Sequence, residues 1–424
     1  VLLFAVHLKS DQFEHTEESL DEMESLARTL DFQIVGRDYQ TRDRMDSRSY
    51  LGTGKLNDIK EVVKEQEVKL ILFDRDLSPN QGKFIETYLD CMVWDRTQLI
   101  LEIFAGHART PESKDQVELA QLKYMLPRLV GLWAHLDREK GGINASKGTG
   151  EKQISIDRQL IGRRIARLEK SLKKIAQERE TQSKARSSCF QVGVVGYTNA
   201  GKTSLINQLT GAELRAEDKL FATLESATRL LPSSLKPDIL ISDTVGFIRN
   251  LPHNLVASFR STLSVVKNAD LLLHVVDGSS RNIEQRIDTT TQVLKEIGAN
   301  RIPRLLVLNK IDLVKDELDQ MIITKTYPDS IVVSSNEKDL VEKLRGRIEA
   351  HFQSKFSRDN LILPYERADL LSKLYQLGTV EKVEYAEDGI RITHAINRTN
   401  KQILANLLKE QLGAIPLDSV PGRN

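Results

Sequence analysis

The chain has few of the features on which disulfide scaffolds, zinc sites and membrane spans depend. Its 424 residues include two cysteines, Cys91 and Cys189. A disulfide framework or a cysteine zinc site is therefore not expected, and a reducing compartment is favoured. No run approaches the roughly 18 consecutive apolar residues that a membrane helix needs.

Length and composition set broad limits on the organisation. The length suggests about two to four domains, and 40% apolar residues are enough for ordinary cores. The chain begins at Val1 rather than Met, so missing N-terminal sequence and a cleaved targeting peptide stay open. We expect a monomer in the cytoplasm, with an organellar matrix as the alternative.

Residues 1–110 alternate strand-length apolar runs with segments of helical spacing. This alternation predicts a small parallel α/β sheet. The glycine turn Gly52-Thr53-Gly54-Lys55 either caps a helix, which is the interpretation we favour, or holds an anion. The predicted strands are Val1–His7, Phe32–Val35, Lys69–Phe73 and Met92–Trp94, and the predicted helices are Glu14–Leu30, Leu56–Gln66 and Asn80–Leu89.

Residues 111–188 are predicted to form an antiparallel helical hairpin. Apolar residues recur at steps of four and three in Gln116–Asp137 and again from Ile161 to Ile175. Pro127 should kink the first helix or lie where its missing N–H is tolerated. The predicted connection, Gly141–Gly150, has four glycines in ten residues, so its backbone can approach a partner closely.

Positive charge is concentrated in this hairpin. Residues 138–187 contain 14 Lys and Arg but 6 Asp and Glu, a net charge of +8, whereas the whole chain carries +1. A basic segment on an otherwise acidic chain indicates a polyanionic partner, and a solvated helical face is the plainer alternative. The glycine tip has no aromatic residue, so sequence-specific base reading is not predicted.

A phosphate-binding loop is predicted in the middle of the chain. Gly196-Tyr197-Thr198-Asn199-Ala200-Gly201-Lys202-Thr203 fits the pattern G-x-x-x-x-G-K-[ST], between a predicted strand over 190–195 and a predicted helix over 203–209. The glycines let backbone N–H groups point at phosphates, and the new helix adds its positive end. Lys202 would contact the outer phosphates, and the Thr203 hydroxyl would bind Mg²⁺.

Two further motifs decide which nucleotide this loop binds. Asp243-Thr244-Val245-Gly246 follows a predicted strand, Ile239–Ser242, so that Asp243 would hold a Mg²⁺-bound water and the Gly246 amide would meet the γ-phosphate. Asn309-Lys310-Ile311-Asp312 follows another predicted strand, Arg304–Leu308. Asp312 can accept the two hydrogens that guanine offers at N1 and the 2-amino group, and adenine lacks that pair. Lys310 would lie along the base, and Asn309 would tie the two loops together. The three motifs in this order predict GTP rather than ATP.

The sequence also indicates how hydrolysis would be controlled. Thr223 is the favoured switch threonine that closes onto Mg²⁺ and the γ-phosphate, and Thr228 is its rival. Phe247 stands where many regulatory GTPases have a water-orienting Gln, so hydrolysis is predicted to be slow or assisted. Asn199 resembles the Asn with which some GTPases recruit K⁺ in place of an arginine finger, and the alternative is that it only shapes the loop.

The predicted cofactors are therefore Mg²⁺ and, through Asn199, K⁺. Catalytic roles are assigned to Asn199, Lys202, Thr223 and Gly246, and metal binding to Thr203, Thr223 and Asp243. The predicted GTP contacts are Gly196, Tyr197, Thr198, Asn199, Ala200, Gly201, Lys202, Thr203, Ser204, Phe221, Ala222, Thr223, Leu224, Asp243, Thr244, Val245, Gly246, Asn309, Lys310, Asp312, Ser334, Ser335 and Asn336.

Several motifs together resemble the HflX family of translational GTPases. These motifs agree in order across residues 1–355. The chain departs from the family pattern at Lys147, Thr149 and Ser155, so the details of an rRNA contact stay open. It also departs from that pattern at 225–227 and 334–335. The motifs are the phosphate loop, Leu220–Leu224, Asp243–Ile248, Leu251–His253, Asp95–Phe104, Ala108–Thr110, Val117–Leu122, Gly141-Gly142 and Gly148–Glu151.

The resemblance implies a protein that binds the large ribosomal subunit and, in its GTP state, splits 70S ribosomes, notably under stress. The hairpin tip would reach rRNA near the peptidyl-transferase centre. The residues to which the resemblance and the basic charge assign rRNA binding are Gly141, Gly142, Lys147, Gly148, Gly150, Arg158, Arg163 and Arg164.

The expected fold class is α/β. A P-loop GTPase domain (189–354) follows a small parallel α/β subdomain (1–110) and the hairpin (111–188). A small α+β domain (355–424) ends the chain, with a β-hairpin at Val380–Tyr385 and Ile390–Ala395 and helices at Arg367–Leu377 and Lys401–Leu412. The rival functions are a large-subunit assembly GTPase, a signalling GTPase whose hairpin binds a protein, and an RNA-remodelling ATPase, which the missing ATP motifs disfavour.

Overall fold

A computed structural model describes residues 1–10, 12–129, 147–185, 189–212, 220–221, 223–224, 226–249 and 265–412, with the backbone alone over 147–154, 179–180, 182–185 and 409–412 and at 399. These residues fall into two compact units. The first takes in Val1–Gln177 with the described parts of Glu217–Leu224 and Ile248–Ser261, and the second takes in the remainder. Within the described residues, no helix is long and apolar enough to cross a membrane.

The first unit contains a four-stranded parallel sheet. The strand order is β2-β1-β3-β4, and apolar side chains such as Phe4, Leu56, Phe73 and Ile85 form its core. Alternating strands and helices fold in this way because a parallel connection needs a crossover, usually a helix. The elements are β1 Leu2–Leu8, α1 Phe13–Thr29, β2 Gly36–Arg42, α2 Thr53–Glu65, β3 Leu70–Phe73, α3 Pro79–Leu89, β4 Met92–Asp95 and α4 Arg96–His107.

The second strand was predicted in the wrong place. The apolar run Phe32–Val35 precedes the strand, which is the polar stretch Gly36–Arg42 with alternating exposure. This strand lies at the edge of the sheet and pairs with β1 alone. An edge strand is only partly covered, so it does not need the apolar run that marks a central strand.

The hairpin of the first unit differs from its prediction at the start of each of its two helices. Helix α5 is Pro111–Met125 and therefore begins before the predicted Gln116. A turn follows at 126–128, where Pro127 is expected to kink the helix because proline lacks an N–H and restricts the preceding residue. Positions 130–137 of the predicted helix lie outside the described residues. Helix α6 is Lys147–Ala185, so the backbone of Lys147, Gly148 and Gly150 is helical, contrary to the predicted loop. Each glycine destabilises a helix by about 1 kcal/mol relative to alanine, and the other residues of a long helix can compensate for this cost. Gly141 and Gly142 lie outside the described residues.

The two hairpin helices run antiparallel, as predicted. Leu119 of α5 packs with Leu168 and Leu172 of α6. Glu118 holds Arg164 through two hydrogen bonds of 2.7 and 2.6 Å, and Asp115 accepts a hydrogen bond from Ser171 at 3.2 Å. From Asp115 to Glu118 on α5 the contact moves back from Ser171 to Arg164 on α6, the sense of an antiparallel pair, and Lys123 also pairs with Glu169 at 2.7 Å.

The second unit contains a six-stranded sheet that carries the nucleotide motifs. Its order is β10-β9-β8-β5-β7-β6, and β6 alone among these strands is antiparallel to its neighbour. The elements are β5 Phe190–Gly196, α7 Lys202–Thr210, β6 Thr228–Leu231, β7 Ile239–Ser242, β8 Leu271–Asp277, α8 Ile283–Glu296, β9 Arg304–Asn309, a 3₁₀ turn Ile311–Leu313, α9 Glu317–Thr326, β10 Ile331–Val332 and α10 Lys338–Gln353.

A small three-stranded sheet ends the second unit. The predicted hairpin is present as β12 Thr379–Ala386 and β13 Gly389–Asn397, and the two helices are α11 Asp369–Leu377 and α12 Arg398–Leu412. A further strand, β11 Phe356–Leu363, was not predicted and pairs with β13. Four consecutive polar residues, 357–360, occupy its first half, so no apolar run of strand length marks it. Phe190 stacks on Phe352 and Phe356, with ring centroids 4.3 and 5.7 Å apart.

Candidate functional site

The phosphate loop connects β5 to α7 and depends on two of its glycines. Gly196 has φ +154°, and a Cβ there would lie 2.0 Å from the Val275 carbonyl oxygen. Gly201 has φ +81°, and a Cβ there would lie 2.3 Å from Asn309 Nδ2. Asn199 is exposed and left-handed at φ +57°, a conformation that asparagine tolerates better than most residues. The loop therefore folds tightly against the ends of β8 and β9.

Lys202 lies inside the loop with its ammonium group against main-chain carbonyls. Its Nζ donates to the Tyr197 oxygen at 2.8 Å and to the Gly196 oxygen at 3.2 Å. Burial lowers the pKa of this side chain to about 8, and Asp243 partly opposes the shift. A buried ammonium that donates to neutral carbonyls gains much from an anionic partner, so this position suits a phosphate.

Thr203 and Asp243 bring two oxygen donors together from two separate motifs. The Thr203 hydroxyl donates to Asp243 Oδ2 at 2.6 Å. The other carboxylate oxygen accepts the Thr244 N–H at 2.9 Å, and Asp243 is fully buried. A hydroxyl and a carboxylate are hard oxygen ligands that suit Mg²⁺, which usually completes its shell with water and phosphate. The described residues contain no cluster of three or more His, Cys, Asp or Glu for a dedicated protein cage.

The segment after Asp243 pairs with the phosphate loop through its backbone. The Thr198 N–H donates to the Phe247 carbonyl at 2.8 Å, and the Phe247 N–H donates to the Gly196 carbonyl at 3.0 Å. A Cβ at Gly246 would lie 2.9 Å from Thr198 Cα. The Phe247 side chain is 1% exposed, so it presents no group that could orient water.

The loop that is predicted to read guanine, Asn309–Asp312, is anchored to the phosphate loop, as predicted. Asn309 Nδ2 donates to the Ala200 carbonyl at 2.9 Å, and its Oδ1 accepts from the Ser335 hydroxyl at 3.2 Å. Asn309 is 1% exposed and Ser334 is fully buried. The contact with Ala200 joins residues 109 positions apart, because both loops leave the carboxyl ends of parallel strands of one sheet, β5 and β9, with β8 between them.

The base-facing residues are more exposed than their anchors. Asp312 is exposed, and its Oδ2 accepts a hydrogen bond from Asn336 Nδ2 at 3.3 Å. The Asn336 N–H donates to the Ser334 hydroxyl at 3.2 Å, so this backbone group is engaged within its own loop. A carboxylate held from one side keeps acceptor capacity for guanine.

Two residues of the site were not predicted from the sequence. Asp277, at the end of β8, holds Lys310 through an Nζ–Oδ2 distance of 3.2 Å. Arg286 of α8 lies 3.9 Å from the same carboxylate and places its guanidinium 5.3 Å from the centre of the Tyr197 ring. The signal for Asp277 was an acidic residue at the end of an apolar run, Leu271–Val276, which matches no nucleotide motif.

The predicted switch segment belongs to the first unit in its described part. Phe221 packs edge-on against Phe104 of α4 with ring centroids 4.7 Å apart, and Leu224 is 3% exposed. Thr223 lies between them, and its metal-binding role stays a prediction. The rival Thr228 begins β6, where its hydroxyl is 2.8 Å from the Ser242 hydroxyl. Ala222 lies outside the described residues.

The predicted rRNA residues of the hairpin fall into two groups. Arg158 and Arg163 are exposed on α6, whereas Arg164 is engaged by Glu118 of α5. That ion pair would have to be given up or shared if Arg164 contacted a phosphate. The second group, Lys147–Gly150, lies in the first turn of α6.

A cavity of about 550 Å³ lies beside the edge strand β4 of the first unit. Its one fully buried charged residue is Asp95. The carboxylate of Asp95 already accepts four protein hydrogen bonds, from the N–H groups of Leu77 and Gln98, the Tyr124 hydroxyl and Arg128. The cavity therefore offers a ligand no unsatisfied buried charge. The Gly52 turn is the N-cap of α2, and its N–H donates to Gln40.

A phosphate loop, a strand-end Asp-x-x-Gly and a guanine-specific Asn-Lys-x-Asp loop on one mainly parallel sheet define a guanine-nucleotide-binding GTPase. Three family models match in order: GTP-binding GTPase N-terminal over residues 17–105, GTP-binding GTPase Middle Region over 107–186, and 50S ribosome-binding GTPase over 191–310.

Curated relatives extend the match over almost the whole chain. The chain is 39% identical to the GTPase HflX of Caldanaerobacter subterraneus subsp. tengcongensis, covering 92% of this chain and 90% of that protein. It is 40% identical to that of Alkalihalophilus pseudofirmus over 94% of both chains, and 39% identical to that of Escherichia coli over 88% of both. The chain belongs to the HflX family of GTPases, which confirms the resemblance and the assignment as an enzyme that hydrolyses GTP.

Proposed function

We propose that this GTPase binds the large ribosomal subunit in its GTP state and separates 70S ribosomes, and that hydrolysis releases it. The family model over 191–310 is described as a 50S ribosome-binding GTPase, which supports a ribosomal partner. A cytoplasmic monomer is the form that acts in this proposal. The role would be rescue of ribosomes under stress.

The observation that carries the proposal is the basic, exposed surface of α6. Over its 39 residues this helix has 11 Lys and Arg against 5 Asp and Glu. Rows of such side chains neutralise nucleic-acid phosphates and fix a protein on its target without reading sequence. The exposed basic residues between Ser155 and Glu178 are Arg158, Arg163, Arg167, Lys170, Lys173 and Lys174.

Gradient sedimentation tests the proposal directly. Purified 70S ribosomes are incubated with the protein and either a non-hydrolysable GTP analogue or GDP. We expect separated subunits with the analogue and intact 70S particles with GDP. Intact 70S particles under both conditions would refute ribosome splitting. Binding to precursor particles but not to mature ribosomes would instead favour a large-subunit assembly factor.

A charge-reversal variant tests the role of the basic helix. The double change Arg158→Glu and Arg163→Glu should leave affinity for a fluorescent GDP analogue unchanged and weaken subunit binding by about tenfold or more, since several phosphate contacts are lost. The matched control, Arg44→Glu with Lys64→Glu, reverses two exposed charges elsewhere in the first unit and should bind normally. Equal binding by both variants would remove α6 from the ribosome contact.

Hydrolysis in this proposal is slow and depends on cations. Thr203 and Asp243 would hold Mg²⁺, with Thr223 as a further ligand, and the bound metal would neutralise phosphate charge. Because Phe247 is buried and apolar, Asn199 is assigned the recruitment of K⁺ beside the phosphates. Hydrolysis should be faster in K⁺ than in Na⁺, and Asn199→Ala should abolish the difference. Equal rates in the two salts with the unchanged protein would exclude the K⁺ role.

A further inference from the structure

The outward face of helix α9 is apolar and exposed. Leu318, Met321 and Ile322 follow one side of the helix at the spacing i, i+3 and i+4, with exposed fractions of 67%, 54% and 59%. None of the ten residues of α9 is buried. The other side attaches the helix, where Ile323 packs with Tyr327 against the cluster around Val276.

Three exposed apolar side chains on one face of a helix are unusual on the surface of a globular domain. Single exposed apolar side chains are common and need no explanation, whereas several on one face mark an interaction surface. Leu313, in the turn that precedes α9, is also 56% exposed. The stripe therefore begins directly after the guanine-reading Asp312 and continues through the first two turns of the helix.

The charge around this face is negative. Residues 312–329 contain five Asp and Glu against two Lys, a net charge of −3. An apolar stripe with acidic flanks has an electrostatic sign opposite to that of helix α6. The exposed acids are Asp312, Asp316, Glu317, Asp319 and Asp329.

That charge limits what can cover the stripe. Nucleic acid and anionic lipid would be repelled by the acidic flanks. A second copy of this chain in a two-fold contact would bring two segments of net −3 together, because such a contact uses the same patch twice. A protein segment with apolar anchors and flanking Lys or Arg satisfies both the apolar stripe and the acids.

We infer that the α9 face (Leu318, Met321, Ile322) docks a basic amphipathic segment of a protein of the large ribosomal subunit. The inference rests on the proposed function, which supplies the particle. The apolar stripe and its acidic flanks favour a protein partner over rRNA. Proteins that bind nucleic acid carry basic segments of this kind, so the particle offers suitable partners.

Affinity for purified large subunits tests the docking face. The protein is pelleted with the subunits in the presence of a non-hydrolysable GTP analogue. Leu318→Ala with Ile322→Ala should weaken binding by about tenfold and leave affinity for a fluorescent GDP analogue unchanged. Ile362→Ala removes an isoleucine that is 44% exposed on the C-terminal sheet and serves as the matched control. Since α9 buries no residue, these changes spare the core.

A charge reversal separates a protein partner from rRNA. Asp319→Lys should weaken binding if the partner is basic, and it should strengthen binding if the partner is rRNA. The control Thr324→Lys adds a lysine to the same helix outside the apolar stripe. Tighter binding of the Asp319 variant would overturn the inference.

Cross-linking identifies the class of partner. A benzophenone amino acid in place of Met321 is irradiated in the complex of the full chain with large subunits. The inference requires an adduct with a ribosomal protein that Leu318→Ala with Ile322→Ala suppresses. An adduct with rRNA or with a second copy would overturn this inference but not the proposed function. The same holds if no adduct forms while the chain still pellets with the subunits. If the unchanged chain fails to pellet with large subunits, the proposed function fails as well.

Discussion

The contact between Gly201 and Asn309 should couple the phosphate loop to the guanine loop. Asn309→Ala removes the donor to the buried Ala200 carbonyl, and an unpaired buried acceptor costs about 1–3 kcal/mol. Gly201→Ala would place a Cβ 2.3 Å from Asn309 Nδ2, so it displaces the same donor. It also forces alanine into a left-handed conformation at a cost of about 1–2 kcal/mol.

A double-mutant cycle makes this reasoning quantitative. If both changes break one hydrogen bond, the double variant loses that bond once rather than twice. Its GDP affinity should therefore be about 5-fold to 150-fold higher than the product of the two single effects, which corresponds to a coupling of about 1–3 kcal/mol. The assay is titration of a fluorescent GDP analogue against the four proteins at one Mg²⁺ concentration.

The chain provides a matched control for the cycle. Gly211, at the end of α7, also has a left-handed backbone at φ +67°, but a Cβ there meets nothing within 4 Å. Gly211→Ala therefore carries the conformational strain without the clash. Combined with Asn309→Ala, it should be additive to within about 0.5 kcal/mol. If Gly201→Ala is equally additive with Asn309→Ala, the two loops are not coupled through this contact.

Two further predictions concern the same unit. Asp312→Asn should lower GTP affinity by about a hundredfold or more, because the guanine N1–H and 2-amino group lose their common acceptor. The same change should raise affinity for xanthosine triphosphate. Competition binding measures both affinities, and unchanged selectivity would show that Asp312 does not read the base. Burial lowers the pKa of His274 to about 3, so the folded chain keeps this imidazole neutral while the unfolded chain protonates it below about pH 6.5. The free energy of unfolding should therefore fall as the pH drops through that window, by about 2 kcal/mol from this residue at pH 5. His274→Gln should flatten this part of the pH dependence in urea denaturation followed by circular dichroism, and an unaltered profile would contradict it.

Local apolar patterns predicted the buried strands well. Ile239–Ser242 was predicted with the observed bounds, and the strands at Phe190 and Arg304 differ by one residue at their ends. Central strands of a parallel sheet are buried on both faces, so their sequences are continuously apolar. Each nucleotide motif follows such a strand, and the sequence alone is therefore enough to predict its position in the site.

Elements that depend on distant partners were not predictable in this way. Strands β2 and β11 lie at sheet edges and contain many polar residues, so their pairing with β1 and β13 decides their conformation. The sequence pattern likewise could not indicate that helix α6 would continue through Gly148 and Gly150. Propensity is a weak preference, and the rest of a 39-residue helix outweighs two unfavourable positions.

The site shows that a motif can specify the residues that contact the ligand without specifying the residues that hold them in position. Asp312, to which the motif assigns guanine specificity, is exposed and accepts a hydrogen bond from Asn336 at 3.3 Å. Its loop is positioned by buried groups, since Asn309 is bound to Ala200 and Asp277 holds Lys310. The motif alone predicted Asn309, because the family pattern includes it, but Asp277 belongs to no motif. Because parallel strands gather their carboxyl ends at one edge, the acidic ends of neighbouring strands are the places to search for such supports. Applied to this chain, that rule leads from β9 to β8 and finds Asp277.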